Sequence, residues 1–163
     1  MTYREDRLAA QAVIRRLCQG AQVDGLRFGP ILQLLITDHS ASTPRIQGQI
    51  YLNLGSRWRV FDDRPAAWPD GEHHLFLPPI EEQLGTLCSL REATIAEVEL
   101  GDRQPHLILH FEGGRALFVN GRHEQYECWQ LGVAMGDPNE HWMVVACPGG
   151  EIAVWAPQEV AAG

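Results

Sequence analysis

The sequence predicts an α+β fold, a predominantly antiparallel β-meander with two covering helices. Three observations predict it. Apolar residues recur at helical spacing in only two stretches, short alternating runs fill most of the remainder, and Gly- or Asn-containing turns punctuate those runs. A chain of 163 residues is expected to form a single domain over 1–163, long enough to bury a real core. Its 45% apolar and 21% charged residues place it with ordinary globular proteins, away from disordered and membrane chains.

The elements follow in order. Thr2-Tyr3-Arg4-Glu5 has capping-box spacing, with Glu5 set to reach back to the Thr2 backbone. Leu8, Ala12, Val13 and Leu17 then recur on one face and Gly20 supplies a stop, which predicts a helix over 3–18. Strands are predicted over 23–28 and 31–37, then 47–54 and 57–61, the last two separated by Gly55-Ser56, a two-residue hairpin signal. Pro79 starts a second helix where a proline costs no hydrogen bond. Glu81 and Glu82 sit in its positive first turn, and Ile80, Leu84, Leu87 and Cys88 form its apolar stripe. Further strands are predicted over 95–100, 106–111 and 115–119, the last pair flanking Glu112-Gly113-Gly114. Asn120-Gly121 marks the next turn, and strands 125–131, 141–147 and 151–155 complete the meander.

Two passes of this pattern resemble each other, as pseudo-repeats 1–61 and 79–155. Leu17-Cys18 and Leu87-Cys88 end the two helices, and Pro30-x-Leu32-x-Leu34-x-Ile36 parallels Pro105-x-Leu107-x-Leu109-x-Phe111. Gly48 parallels Gly114, and Trp58-Arg59-Val60-Phe61 parallels Tyr126-Glu127-Cys128-Trp129. An internal duplication makes Cys18 and Cys88 equivalent, both small buried hydrophobes facing the sheet. Two unrelated meanders are the alternative, since amphipathic sheets look alike.

Charge narrows the partners. All 13 basic residues are Arg, which excludes Schiff-base chemistry and a phosphate-loop lysine. Residues 1–60 hold eight Arg against four acids, whereas 61–163 hold five Arg against seventeen acids. Such a surface repels phosphate, so nucleic acid is not an expected partner, and it steers a basic protein toward itself. The segment 62–74 gathers Asp62, Asp63, Asp70 and Glu72 around Trp68, an aromatic that no strand pattern claims. These five, with Glu124 and Glu127, are the candidate protein-binding residues. The competing readings are a plain connection, local packing of Trp68, and acidity that serves only solubility.

Catalytic patterns are weak. The four cysteines form no C-x-x-C pair, no G-x-S-x-G elbow occurs, and Gly113-Gly114 and Gly149-Gly150 lie between strands rather than before a helix. His106 and His110 on a strand stand roughly 13 Å apart, too far to share an ion. No metal and no cofactor are therefore expected. The alternative is a small hydrolase, or a binder of small molecules or metals, using His123, Glu124 and Cys128 around the Asn120-Gly121 turn. A charged 3–7 segment where a signal peptide turns apolar, unpaired cysteines and no bilayer-length apolar run point to the cytoplasm, with no membrane partner.

Three pieces of the last third carry a family resemblance. They are Leu109-His110-Phe111-Glu112-Gly113-Gly114-Arg115-x-Leu117, then Tyr126-Glu127-Cys128-Trp129-Gln130-Leu131, then Val144-Val145-Ala146-Cys147-Pro148-Gly149-Gly150-Glu151-Ile152-Ala153-Val154-Trp155. Over about 107–155 the chain resembles a family of small uncharacterised bacterial domains, some of whose look-alikes resemble immunity proteins of toxin systems. The stretch 135–140 is longer than the short turn expected there. The resemblance implies a fold and no transferable activity. The leading expectation is a non-catalytic cytoplasmic protein-binding domain, of immunity type, that inhibits a basic toxin. A structural homodimer joined through a leftover strand edge is a third reading.

Overall fold

The computed structural model describes residues 2–38, 46 and 48–157. Within them lie two α-helices and ten strands: α1 (Tyr3–Cys18), β1 (Gln22–Arg27), β2 (Leu32–Thr37), β3 (Gln49–Leu54), β4 (Trp58–Phe61), α2 (Ile80–Cys88), β5 (Ile95–Leu100), β6 (Leu107–Phe111), β7 (Ala116–Val119), β8 (Trp129–Ala134), β9 (Met143–Cys147) and β10 (Glu151–Trp155). The fold is α+β and its pairings are antiparallel, as the sequence predicts. Gln47, at the start of the predicted 47–54 strand, lies outside the described residues, as do parts of the 1–61 pseudo-repeat and of the 1–163 span.

The strands form two sheets, one ordered β1-β2-β3-β8-β9-β10 and the other β4-β7-β6-β5. Each pass through the chain lays down a three-strand meander and then hands its fourth strand to the opposite sheet. β4 leaves β3 to pair with β7, and β8 leaves β7 to pair with β3. The first strands of the two passes carry bulges in corresponding places, between Val23 and Gly25 and between Ile95 and Glu97. They also touch each other, through the Gln22–Thr94 bridge and reciprocal backbone bonds from Val23 N–H to Ala93 C=O and Ile95 N–H to Ala21 C=O.

Several expectations are corrected by this topology. Gly55-Ser56 is a crossover between sheets and not a hairpin, because β3 and β4 never pair. Residues 123–128 are loop, so the predicted strand 125–131 starts only at Trp129 and runs on to Ala134. Register then matches Trp58 with Trp129 and not with Tyr126: Trp58 opens β4 opposite Val119, and Trp129 opens β8 opposite Leu54. Tight hairpins do form at Gly113-Gly114, both at positive φ, and at Pro148-Gly149-Gly150.

One buried cluster runs through both sheets and α1, including Val13, Ile14 and Leu17, Leu34 and Leu52, Leu107 and Leu117, and Trp129. The α1 start follows its sequence signal, with the Thr2 N–H donating to the Glu5 carboxylate at 2.7 Å. Its packing stripe is Tyr3, Ala10, Val13, Ile14, Leu17 and Cys18, whereas Leu8 is exposed. α1 lies against β5, β9 and β10, so it spans the gap between the sheets. Tyr3 and Arg7 fix its start by donating to the Gly101 and Leu100 carbonyls. In α2 only Leu87 is buried; Leu84 is half-buried, and Ile80 and Cys88 are exposed where the helix packs on β1. Cys88 is therefore not the counterpart of the fully buried Cys18.

Candidate functional site

The site begins with a strap. After β4 the segment 62–79 runs over the outer face of the four-stranded sheet and covers Ile108, Ala116 and Phe118 with Leu75 and Trp68. Trp68 stacks on Phe118 at 6.1 Å and meets Phe61 and His110 edge-on at 5.5 and 5.7 Å. Trp68 thus packs on the sheet, since an aromatic of this size gains by covering apolar strand residues, and its half-exposed remainder lines a cleft. Arg57 fastens the strap by donating to the Leu75 carbonyl at 3.0 Å.

A second fastening uses His106, which is buried. Its Nδ1 accepts the Gly121 N–H at 2.9 Å, which leaves the proton on Nε2 to donate to the Asp70 carbonyl at 3.1 Å. Burial lowers its pKa, so the ring is held neutral. Gly121 is required by close approach, since a Cβ there lands 2.7 Å from the His106 nitrogen and nearer still to the Pro105 carbonyl oxygen.

The loop 120–128 forms the other wall. Asn120 is wholly buried, and its amide donates to Ser56 Oγ and to the Arg122 carbonyl, each at 2.9 Å, with the Cys128 sulfur at 3.8 Å. This ties the loop to the Gly55-Ser56 crossover. Above it, His123 stacks on Tyr126 at 3.5 Å, and Glu72 receives the Tyr126 hydroxyl at 3.3 Å with His123 Nε2 at 3.9 Å. Arg122 pairs with Glu124.

Two adjoining clefts flank the strap, one between it and this loop and one between it and the β5–β6 connection. One of about 490 Å³ is lined by Asp70, Glu72, His73, Arg122, His123 and Glu124; the other, of about 390 Å³, by Asp70, Glu99, Asp102, Arg103 and His106 among others. Asp70 belongs to both. Five carboxylates stand against two lining arginines, so the pair of clefts is electronegative. Asp102 is offset by Arg7 at 3.2 Å and Glu99 faces His110 at 2.9 Å, while the Asp70 carboxylate has no ion-pair partner among the described residues.

Of the sequence candidates, Trp68, Asp70, Glu72, His123 and Glu124 converge here. Asp62 and Asp63 do not: Asp62 faces Arg115 at 3.9 Å at the opposite end of β7, and Asp63 is exposed beside it. Glu127 is exposed outside the clefts. Arg122, Glu99 and Asp102 carry no such signal in the sequence, whereas His123, Glu124 and the Asn120-Gly121 turn mark this loop.

Cys128 lies beneath the larger cleft, where burial pushes its thiol up to about 11, with Ser56 opposing and Glu72 adding to that rise. A thiol so raised is a poor nucleophile near neutral pH. Among the described residues no three His, Cys, Asp or Glu side chains are grouped to hold a metal, so His123, Glu124 and Cys128 do not assemble as ligands. Nor is any described helix long and apolar enough to cross a membrane.

Comparison with protein families adds one result. A model described as a family of unknown function, DUF6188, matches residues 18–156. The chain belongs to this family. The DUF6188 match takes in all ten strands and both walls of the clefts, far more than the 107–155 stretch that carries the resemblance in the sequence. Neither a curated protein nor a solved structure matches the chain.

Proposed function

We propose that this chain is a non-catalytic cytoplasmic binding domain whose paired clefts receive a basic segment of a protein partner, as an immunity-type inhibitor of a basic toxin does. The observation that carries the reading is the convergence of Asp70, Glu72 and Glu124 on one cleft, with Glu99 and Asp102 on its neighbour. Arginine and lysine side chains entering such clefts gain charge-assisted hydrogen bonds and meet a field that accelerates encounter. The raised Cys128 thiol supports binding without bond breaking.

The test is capture at low salt from the native extract, with wild-type chain and an Asp70→Asn/Glu72→Gln/Glu124→Gln variant as parallel baits. The expected result is a basic protein retained by the wild type, released by salt and lost with the variant. Retention by both baits, or by neither, overturns the reading.

A further inference from the structure

The six-stranded sheet has a second, outward face. Strand register fixes its layout in rows across the strands. One row runs Gly25, Leu35, Tyr51, Gly132, Met143, Trp155, and the next runs Arg27, Gln33, Asn53, Gln130, Val145, Ala153. The strap covers the outer face of the smaller sheet, but no described helix packs on this one; Leu35, Tyr51, Asn53, Gln130 and Met143 remain half-exposed, while Gly132 and Val145 are buried beneath their neighbours.

We propose that this face joins two copies of the chain about a twofold axis that runs along the strands between β3 and β8. Charge is the first support. The four central strands, β2, β3, β8 and β9, carry no charged residue at all. In a chain of net charge -8, this is the surface on which a second copy meets no carboxylate on carboxylate. Charged groups appear only on the edge strands, as Asp24 and Arg27 on β1 and Glu151 on β10.

Those edge charges are also complementary under the proposed symmetry. Rotation about that axis lays β1 over the β10 of the second copy, because these strands are equidistant from it on opposite sides. Arg27 then lies one row from Glu151 of the other copy, about 7 Å along the strand, a span that a guanidinium side chain crosses. Two symmetric ion pairs result. The same rotation sets the exposed Trp155 over the side-chain-free Gly25, and Leu35 against Met143, so large residues meet small or apolar ones. Asn53 and Gln130 face each other beside the axis. Asn53 Oδ1 accepts from Gln33 and Gln130 Nε2 donates to Tyr51, which leaves the Asn53 amide to donate to the Gln130 side-chain carbonyl of the other copy.

Size is adequate as well. Six strands spaced about 4.8 Å apart and about 20 Å long give a footprint of roughly 500–600 Å². Side-chain relief enlarges this toward the ~800 Å² per partner of a stable interface. Face-to-face sheets pack with their strands nearly aligned, the geometry this axis produces.

Sedimentation of the full chain over a wide concentration range tests the proposal, with a dimer of twice the chain mass expected at micromolar concentration. Asn53→Asp/Gln130→Glu keeps side-chain size but sets four carboxylates around the axis, and is expected to weaken the dimer at least ~100-fold. Arg27→Glu and Glu151→Arg are each expected to weaken it, and the combined charge swap to restore it. Thermal melts of each variant keep loss of folding separate from loss of association. A chain that stays monomeric throughout, a dimer indifferent to Asn53→Asp/Gln130→Glu, or a charge swap that restores nothing overturns the proposal.

Discussion

Asn120→Ala removes the tie between the cleft loop and the inter-sheet crossover. The native amide gives one hydrogen to Ser56 Oγ and one to the Arg122 carbonyl, both at 2.9 Å in a site closed to water. Truncation deletes these two hydrogen bonds and a longer third, from the Arg122 N–H to Asn120 Oδ1 at 3.4 Å, and leaves two acceptors to find new donors. The Ser56 hydroxyl can turn elsewhere, but the Arg122 carbonyl is fixed in the backbone. At about 1 kcal/mol per shorter bond plus roughly 1 kcal/mol for the orphaned acceptor, the loss is about 2–3 kcal/mol. For a chain of this length that lowers the melting temperature by about 4–12 °C. Ser56→Ala removes only one of those bonds and costs about 1 kcal/mol, and the double variant is expected to fall short of the sum by a similar amount. Urea unfolding of the four proteins of this cycle measures each quantity. A loss below about 0.5 kcal/mol for Asn120→Ala, the range of an ordinary surface change, refutes the reasoning.

Three further outcomes follow from the same geometry. The folded pKa of His106 is lowered by burial, so the native state refuses a proton that the unfolded chain accepts; His106 therefore supports stability above pH of about 6.5, and that support is lost as pH falls through the folded value, a slope that melting curves of His106→Gln should lack. Gly121→Ala should cost about 3 kcal/mol or more, because its Cβ collides with the Pro105–His106 backbone, whereas Gly113→Ala, strained by φ alone in open space, should cost about 1 kcal/mol; chemical denaturation separates the two. Native alkylation should label Cys88 first, with Cys18 and Cys128 silent until unfolding, since burial pushes their thiols up to about 12 and about 11; mass spectrometry of the labelled peptides reads this order.

What was legible in the chain is what local chemistry decides. Thr2 and Glu5 announce α1, Pro79 announces α2, and Gly113-Gly114 announces a hairpin, because capping and positive φ act over a few residues. Gly55-Ser56 misled for the converse reason. A small pair between two strands permits either a tight reversal or a crossing, and the choice falls to distant partners such as Asn120. The alternation in Tyr126-Glu127-Cys128 misled similarly, since His123 and Glu72 hold Tyr126 in a loop. Acidity alone nominated Asp70, Glu72 and Glu124, yet nothing local brings residue 72 beside residue 124. The buried polar residues that do so, His106 and Asn120, look like surface residues in a sequence, because burial of a polar group is justified only by partners far along the chain.

The exchange of fourth strands has a consequence for how the chain can be divided. Severing the strap between Phe61 and Ile80 separates neither sheet, because β4 stays gripped by β7 while β8 stays gripped by β3. A single protease nick there should leave two interlocked fragments that travel together until denaturant parts them. Expressed apart, each fragment would want an edge that only the other supplies, so the molecule is suited to split-fragment complementation.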